Sequence, residues 1–173
     1  MKILKLRSNP QYFNEFINDV YNEWTELIHV SKCSNIPQLK KLYINILNSN
    51  GEVYLYTKDN GELIGFFTLI KIKNKIYLCD VYIKPSYRQR GLGKKMVNYT
   101  LDSVHEFEPS CKELYVNTYV ENTVFYLKIG FKMQKKQDNT YTLVYKLSNN
   151  NNTVFYIFGI IAAIILLWWI LIR

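Results

Sequence analysis

The sequence predicts an α/β domain, a mixed sheet with helices on both faces, followed by a C-terminal transmembrane helix. Three observations predict it. Segments of two-residue hydrophobic period alternate with segments of three- and four-residue period, in the order β-α-α-β-β-β-α-β-α-β-β. Residues 76–83 form an apolar run suited to a central strand. Residues 154–172, VFYIFGIIAAIILLWWILI, contain neither charge nor proline.

Each element has a local cause. Residues 3–6 alternate polar and apolar and read as a short strand. Pro10 opens a helix in which Phe13, Phe16, Ile17, Val20, Tyr21 and Trp24 mark one face, to about residue 28. Pro37 starts a second helix, with Leu39, Leu42, Ile46 and Leu47 on one face, and Asn50–Gly51 ends it. Residues 53–56 and 63–72 form a hairpin around the turn at Asp59, Asn60 and Gly61. A turn at residues 73–75 leads into the strand 76–83, which Lys84–Pro85 stops. A glycine-containing loop at residues 88–93 precedes a helix faced by Met96, Val97, Thr100, Leu101 and Val104. Residues 114–119 form a strand and residues 123–129 a short helix. Strands at 131–134 and 141–147 flank the turn Asp138–Asn139.

The expected organisation is a domain of residues 1–147, a polar linker of residues 148–153, and an anchor of residues 154–173. Nineteen helical residues span about 28 Å, close to a hydrocarbon core. Trp168 and Trp169 lie near one end and Phe155 and Tyr156 near the other, as membrane interfaces favour. Lys132, Lys135, Lys136 and Lys146 precede the segment. The expectation is a single-pass, tail-anchored membrane protein whose domain faces the cytosol. The N-terminal residues lack the long apolar core of a signal peptide.

The chain has 173 residues, with 22 Lys and Arg against 14 Asp and Glu, a net charge of +8. This balance reads as a mixture of a solvated basic surface and attraction to an anionic ligand or lipid surface. Cys33, Cys79 and Cys111 are widely spaced, which suggests neither a disulfide framework nor a zinc site. With two histidines, His29 and His105, and no His-Cys cluster, metal catalysis is not expected. No nucleic-acid-binding module appears, so no nucleic-acid partner is expected.

The most informative stretch joins the strand at residues 76–83 to the next helix through Arg88–Gln89–Arg90–Gly91–Leu92–Gly93. Free amides at a helix N-terminus, together with the helix dipole, favour an anion. Gly91 and Gly93 remove side chains that would keep a phosphate away. Arg88, Arg90, Lys94 and Lys95 add positive field, and a pyrophosphate would suit the site. The stretch lacks the Gly-Lys-Ser/Thr of an NTPase loop and the third glycine of a dinucleotide fingerprint.

These residues resemble the GNAT superfamily of N-acetyltransferases, whose Arg/Gln-x-x-Gly-x-Gly/Ala loop holds the pyrophosphate of acetyl-CoA. Val81–Tyr82–Ile83 is similar to the family strand whose backbone pairs with the pantetheine arm. A second block, from Glu121–Asn122 through Tyr126 and Lys128 to Gly130–Phe131, follows in the family's order. The resemblance covers about residues 1–147. It implies a GNAT-like mixed, mostly antiparallel sheet, acetyl-CoA as co-substrate with no metal, and transfer to a primary amine: a protein N-terminus, a lysine or a small molecule. It implies cofactor contacts at Val81, Tyr82, Ile83, Arg88, Gln89, Arg90, Gly91, Leu92, Gly93, Asn122 and Lys128. Tyr126 is implied as the acid for the leaving thiolate, and a backbone N–H near Val81 or Tyr82 as the donor that polarises the thioester.

Many relatives carry Glu-Asp where this chain has Cys79–Asp80. Asp80 can serve as base through water or orient a loop. Cys79 reads as a nucleophile or as inert packing in a strand. The interval from Asn122 to Tyr126 is shorter than in many relatives. The leading reading is a membrane-tethered N-acetyltransferase, with the membrane contacted through residues 154–172. The alternative is a catalytically weakened acyl-CoA-binding or protein-interaction module held at a membrane. A homodimer is compatible with the family.

Overall fold

The computed structural model describes residues 1–24 and 33–147. The strands are β1 (Lys2–Lys5), β2 (Gly51–Thr57), β3 (Leu63–Ile72), β4 (Lys75–Ile83), β5 (Glu113–Tyr119), β6 (Lys132–Gln137) and β7 (Thr140–Lys146). The helices are α1 (Phe13–Glu23), α2 (Ile36–Asn48), α3 (Leu92–Phe107) and α4 (Val120–Ile129). The strand order is β1-β2-β3-β4-β5-β7-β6. Among the described residues only the β4–β5 pairing is parallel, as a mixed, mostly antiparallel sheet requires. The apolar run at residues 76–83 becomes the middle strand, and the predicted order of elements holds over the described residues.

The alternation of β2 divides the core. Val53 and Leu55 face one side and join Phe16, Ile17 and Val20 of α1 and Leu39 and Tyr43 of α2. Tyr54 and Tyr56 face the other side and join Leu92, Met96, Val97 and Val104 of α3 and Tyr126 of α4. Side chains on successive strand residues point to opposite faces, so one strand feeds both cores. Helices therefore cover both faces.

α1 begins at Phe13, after a 3₁₀ turn over Pro10–Tyr12, and ends at Glu23. The expected extension to residue 28 lies outside the described residues. In α2 the side chain of Asn35 accepts from the Gln38 amide at 3.0 Å, an N-cap that starts the helix at Ile36, one residue before the expected Pro37.

The expected membrane location, with the domain facing the cytosol, is overturned: among the described residues no helix is long and apolar enough to cross a membrane. α3 has 16 residues, or about 24 Å of helix at about 1.5 Å per residue. A span needs about 20 apolar residues, whereas α3 exposes Lys94, Lys95, Asp102 and Glu106 along its outer face. The linker and anchor expected at residues 148–173 lie outside the described residues.

Candidate active site

The site begins with a defect in strand pairing. β4 and β5 share two register pairs, Ile76 with Leu114 and Tyr77 with Tyr115. From Leu78 onward the two strands part. On the other edge of β4, Phe66 pairs with Tyr82 and Thr68 with Cys79, so Phe67 alone faces both Asp80 and Val81. The extra residue is a β-bulge on β4, and Asp80 sits in the left-handed region at φ 53°. Aspartate is among the few residues that tolerate this conformation, and a bulge bends its strand. Gly65 answers the bulge across the ladder: a Cβ there would lie 2.2 Å from the Tyr82 carbonyl oxygen.

The gap between the strands opens into a cleft of about 520 Å³. Val81 and Ile83 of β4 line it, as do Arg88, Gln89, Gly91, Leu92 and Gly93 of the loop and Asn122 and Tyr126 of α4. Thus nine of the residues implied by the motifs converge on one cavity. Lys94, expected to add positive field, also lines it, as do Tyr87 and Phe125, which were not singled out as site residues. Phe125 follows Asn122 by three residues and precedes Tyr126, a spacing that a helix places near one face. Tyr87 donates its hydroxyl to Glu62 and carries the Arg90 guanidinium 5.6 Å from its ring centre, so it braces the loop.

Four expected site residues do not line the cleft. Asp80 sits on the bulge, next to the lining residue Val81 but not itself part of the lining. The Tyr82 side chain turns to the α1–α2 core, leaving only its backbone for the cleft. Arg90 is exposed and donates to the Ser86 carbonyl at 3.1 Å. Lys128 is exposed on α4 and does not line the cleft.

The floor of the cleft can hold an anion. α3 starts on Gly91, at φ 72°, and no side chain caps it. First-turn amides of a helix have no intrahelical acceptor, so here they face the cavity mouth with the positive end of the dipole. A Cβ on Gly91 would meet nothing, while one on Gly93 would come within 3.5 Å of the Phe125 ring. Arg88 and Lys94 supply charge beside these amides. The donor set and the open cradle fit the phosphates of a nucleotide-bearing thioester.

Three titrating groups lie at or beside the cleft, and of these Tyr126 lines it. Burial pushes the Asp80 carboxyl up to about 6, against the opposing pull of Thr68 and Tyr43. Those two hydroxyls are buried and make no other hydrogen bond. Burial, reinforced by Asp80, pushes the Cys79 thiol up to about 12. Cys79 is therefore protonated near neutrality and is no thiolate nucleophile. Burial, and then the charges of Cys79 and Asp80, raise Tyr126 well above a normal phenol. Its ring packs edge-on against Phe125 and Phe131, with centres 5.0 and 5.5 Å away.

The match that decides the family covers residues 15–131, which fit the acetyltransferase (GNAT) family. The chain belongs to the GNAT family. It is an acetyl-CoA-dependent N-acetyltransferase. GNAT structures also resemble it in fold. PaiA N-acetyltransferase from Thermoplasma acidophilum, in complex with coenzyme A, is 19% identical with a TM-score of 0.64, covering 84% of this chain and 99% of that one. An aminoglycoside 6'-N-acetyltransferase complexed with coenzyme A is 15% identical with a TM-score of 0.69, covering 87% and 99%. Spermidine N-acetyltransferase from Vibrio cholerae, in complex with CoA and spermine, is 16% identical with a TM-score of 0.65, covering 84% and 95%. No curated protein matches the sequence.

Proposed function

We propose that this GNAT domain, residues 1–147, acetylates a primary amine in the gap between β4 and β5, with Asp80 as base and Tyr126 as acid. The observation that carries this reading is the convergence of a bulged strand, an uncapped helix start and Tyr126 on one cleft, with Asp80 on the bulge next to the lining residue Val81. Acetyl-CoA supplies the activated acyl group. The α3 amides, Arg88, Gln89 and Lys94 hold its phosphates, and the free backbone of Val81–Ile83 aligns its amide-bearing arm. A backbone N–H near Val81 or Tyr82, beside the bulge, polarises the carbonyl where negative charge develops.

Asp80, titrating near 6, is charged at neutral pH and can take a proton from an ammonium through water. Tyr126 stays protonated and donates as the thiolate leaves. Relatives of similar fold carry names for two classes of amine, spermidine and aminoglycosides. Both are consistent with an amine acceptor and do not choose among amines here.

Titration of the full chain with acetyl-CoA by calorimetry tests the cofactor half, and thiol release across peptide N-termini, lysine peptides, polyamines and aminoglycosides tests turnover. Saturable binding and turnover on at least one amine are expected. A chain that binds no acetyl-CoA refutes the reading. Binding without turnover on any amine favours the weakened module.

A further inference from the structure

α1 and the cofactor loop lie on opposite sides of β4, yet a continuous line of contacts joins them. The Tyr82 hydroxyl donates to Glu23 Oε2 at 3.0 Å, at the last residue of α1. The same Tyr82 ring carries the Arg88 guanidinium carbon 5.5 Å from its centre. Arg88 lines the cofactor cleft, and its Nε donates to the Ile83 carbonyl at 2.8 Å. Trp24, the next residue after α1, packs on Tyr82 with ring centres 5.2 Å apart. One turn earlier on the same face of α1, Asp19 Oδ2 lies 2.6 Å from Lys84 Nζ, just past the end of β4. Both carboxylates of this helix face thus grip the segment that leads into the cofactor loop.

We infer that Tyr82 is a positioning residue that couples the cofactor loop to the last turn of α1, so that filling the cleft tightens the α1-covered side of the sheet. The inference rests on the reading that Arg88 meets the cofactor. A phosphate drawing on Arg88 would shift the guanidinium relative to the Tyr82 ring. The phenol links that change to Glu23 by a hydrogen bond to a charged acceptor, a contact stronger than one between neutral groups. By reciprocity, the form with α1 opened binds the cofactor more weakly by the same factor; that form is a small minority, so the overall affinity hardly depends on the coupling.

The test is hydrogen exchange of the full chain with and without coenzyme A, followed at the amides of residues 20–24, with affinity measured by calorimetry. In the unmodified chain, coenzyme A is expected to slow exchange at these amides by about fivefold, as a coupling near 1 kcal/mol implies. Glu23→Ala removes the carboxylate at an exposed position. It is expected to keep the coenzyme A affinity within about twofold and to abolish the response. Tyr82→Leu is expected to lose about five- to tenfold in affinity, the effect of one partly buried cation–π contact. Tyr82→Phe is expected to restore most of that affinity while leaving the response as low as in Glu23→Ala. A full response in Glu23→Ala overturns the inference, as does a Tyr82→Phe variant no better than Tyr82→Leu. Coenzyme A binding with no change at residues 20–24 in the unmodified chain overturns the coupling and leaves the proposed function standing. No coenzyme A binding at all removes both.

Discussion

Replacing Asp80 by Asn removes an ionisation that the fold disfavours. The carboxyl moves from 3.8 in the open chain to about 6 in the folded one, because burial penalises the charged form. Between those values the native state holds a proton that the unfolded chain has released. Stability is therefore fully present below the lower value, falls as pH rises through this window, and stays reduced above it. A shift of about two units at about 1.4 kcal/mol each sets a ceiling of about 3 kcal/mol. Urea unfolding at pH 4.5 and 7.5, on both proteins, isolates the contribution. Other groups titrate alike in each, so the difference between the two pH dependences belongs to Asp80. The variant is expected to lose about 1–3 kcal/mol less than the parent over this interval. Equal pH dependences within about 0.5 kcal/mol would refute the burial argument. Turnover provides an independent reading: loss of a general base is expected to cost about 10²–10⁴-fold, and the parent rate to fall below about pH 6. A variant with full turnover would limit Asp80 to shaping the bulge.

Further substitutions probe the rest of the site. Tyr126→Phe keeps the ring between Phe125 and Phe131 and removes the donor, so turnover should fall about 10²-fold or more with unchanged acetyl-CoA affinity by calorimetry. Gly93→Val pushes a branched side chain toward Phe125 and into the cleft. Its acetyl-CoA affinity should drop about tenfold, with the thermal midpoint within about 2 °C of the parent. Gly65→Ala forces a Cβ against the Tyr82 carbonyl, backbone against backbone. It should lose about 3 kcal/mol or more in urea unfolding, and a stable variant would refute the close approach.

Much of this was legible because the signals are local. Gly91 and Gly93 stand just after an apolar strand and just before an amphipathic helix, and the loop they predict lies at the start of α3. Val81, Ile83, Asn122 and Tyr126 were placed by resemblance to the GNAT motifs rather than by period, and all four line the cleft. The surroundings of Asp80 were illegible. Tyr43 comes from α2 and Thr68 from β3, and neither spacing nor composition announces that a fold will gather them around one carboxylate. The fate of Tyr82 was hidden for a related reason. The bulge at Asp80 resets which face each later residue of β4 takes, and a bulge leaves no period to read. The membrane expectation came from composition alone at residues 154–172, outside the described residues; no described helix supports it.

The two register pairs between β4 and β5 have a mechanical meaning. They join a block of β1 to β4, with α1 and α2 against it, to a block of β5, β7 and β6. Elsewhere an unpaired strand edge invites a neighbouring chain. Here the edge lies inside one molecule, and a ligand arm rich in amides can occupy it as a temporary strand. The co-substrate is then also a seam. A co-substrate bound there as proposed would add a second tie to the core that already joins the two blocks, so resistance to unfolding should rise with cofactor occupancy.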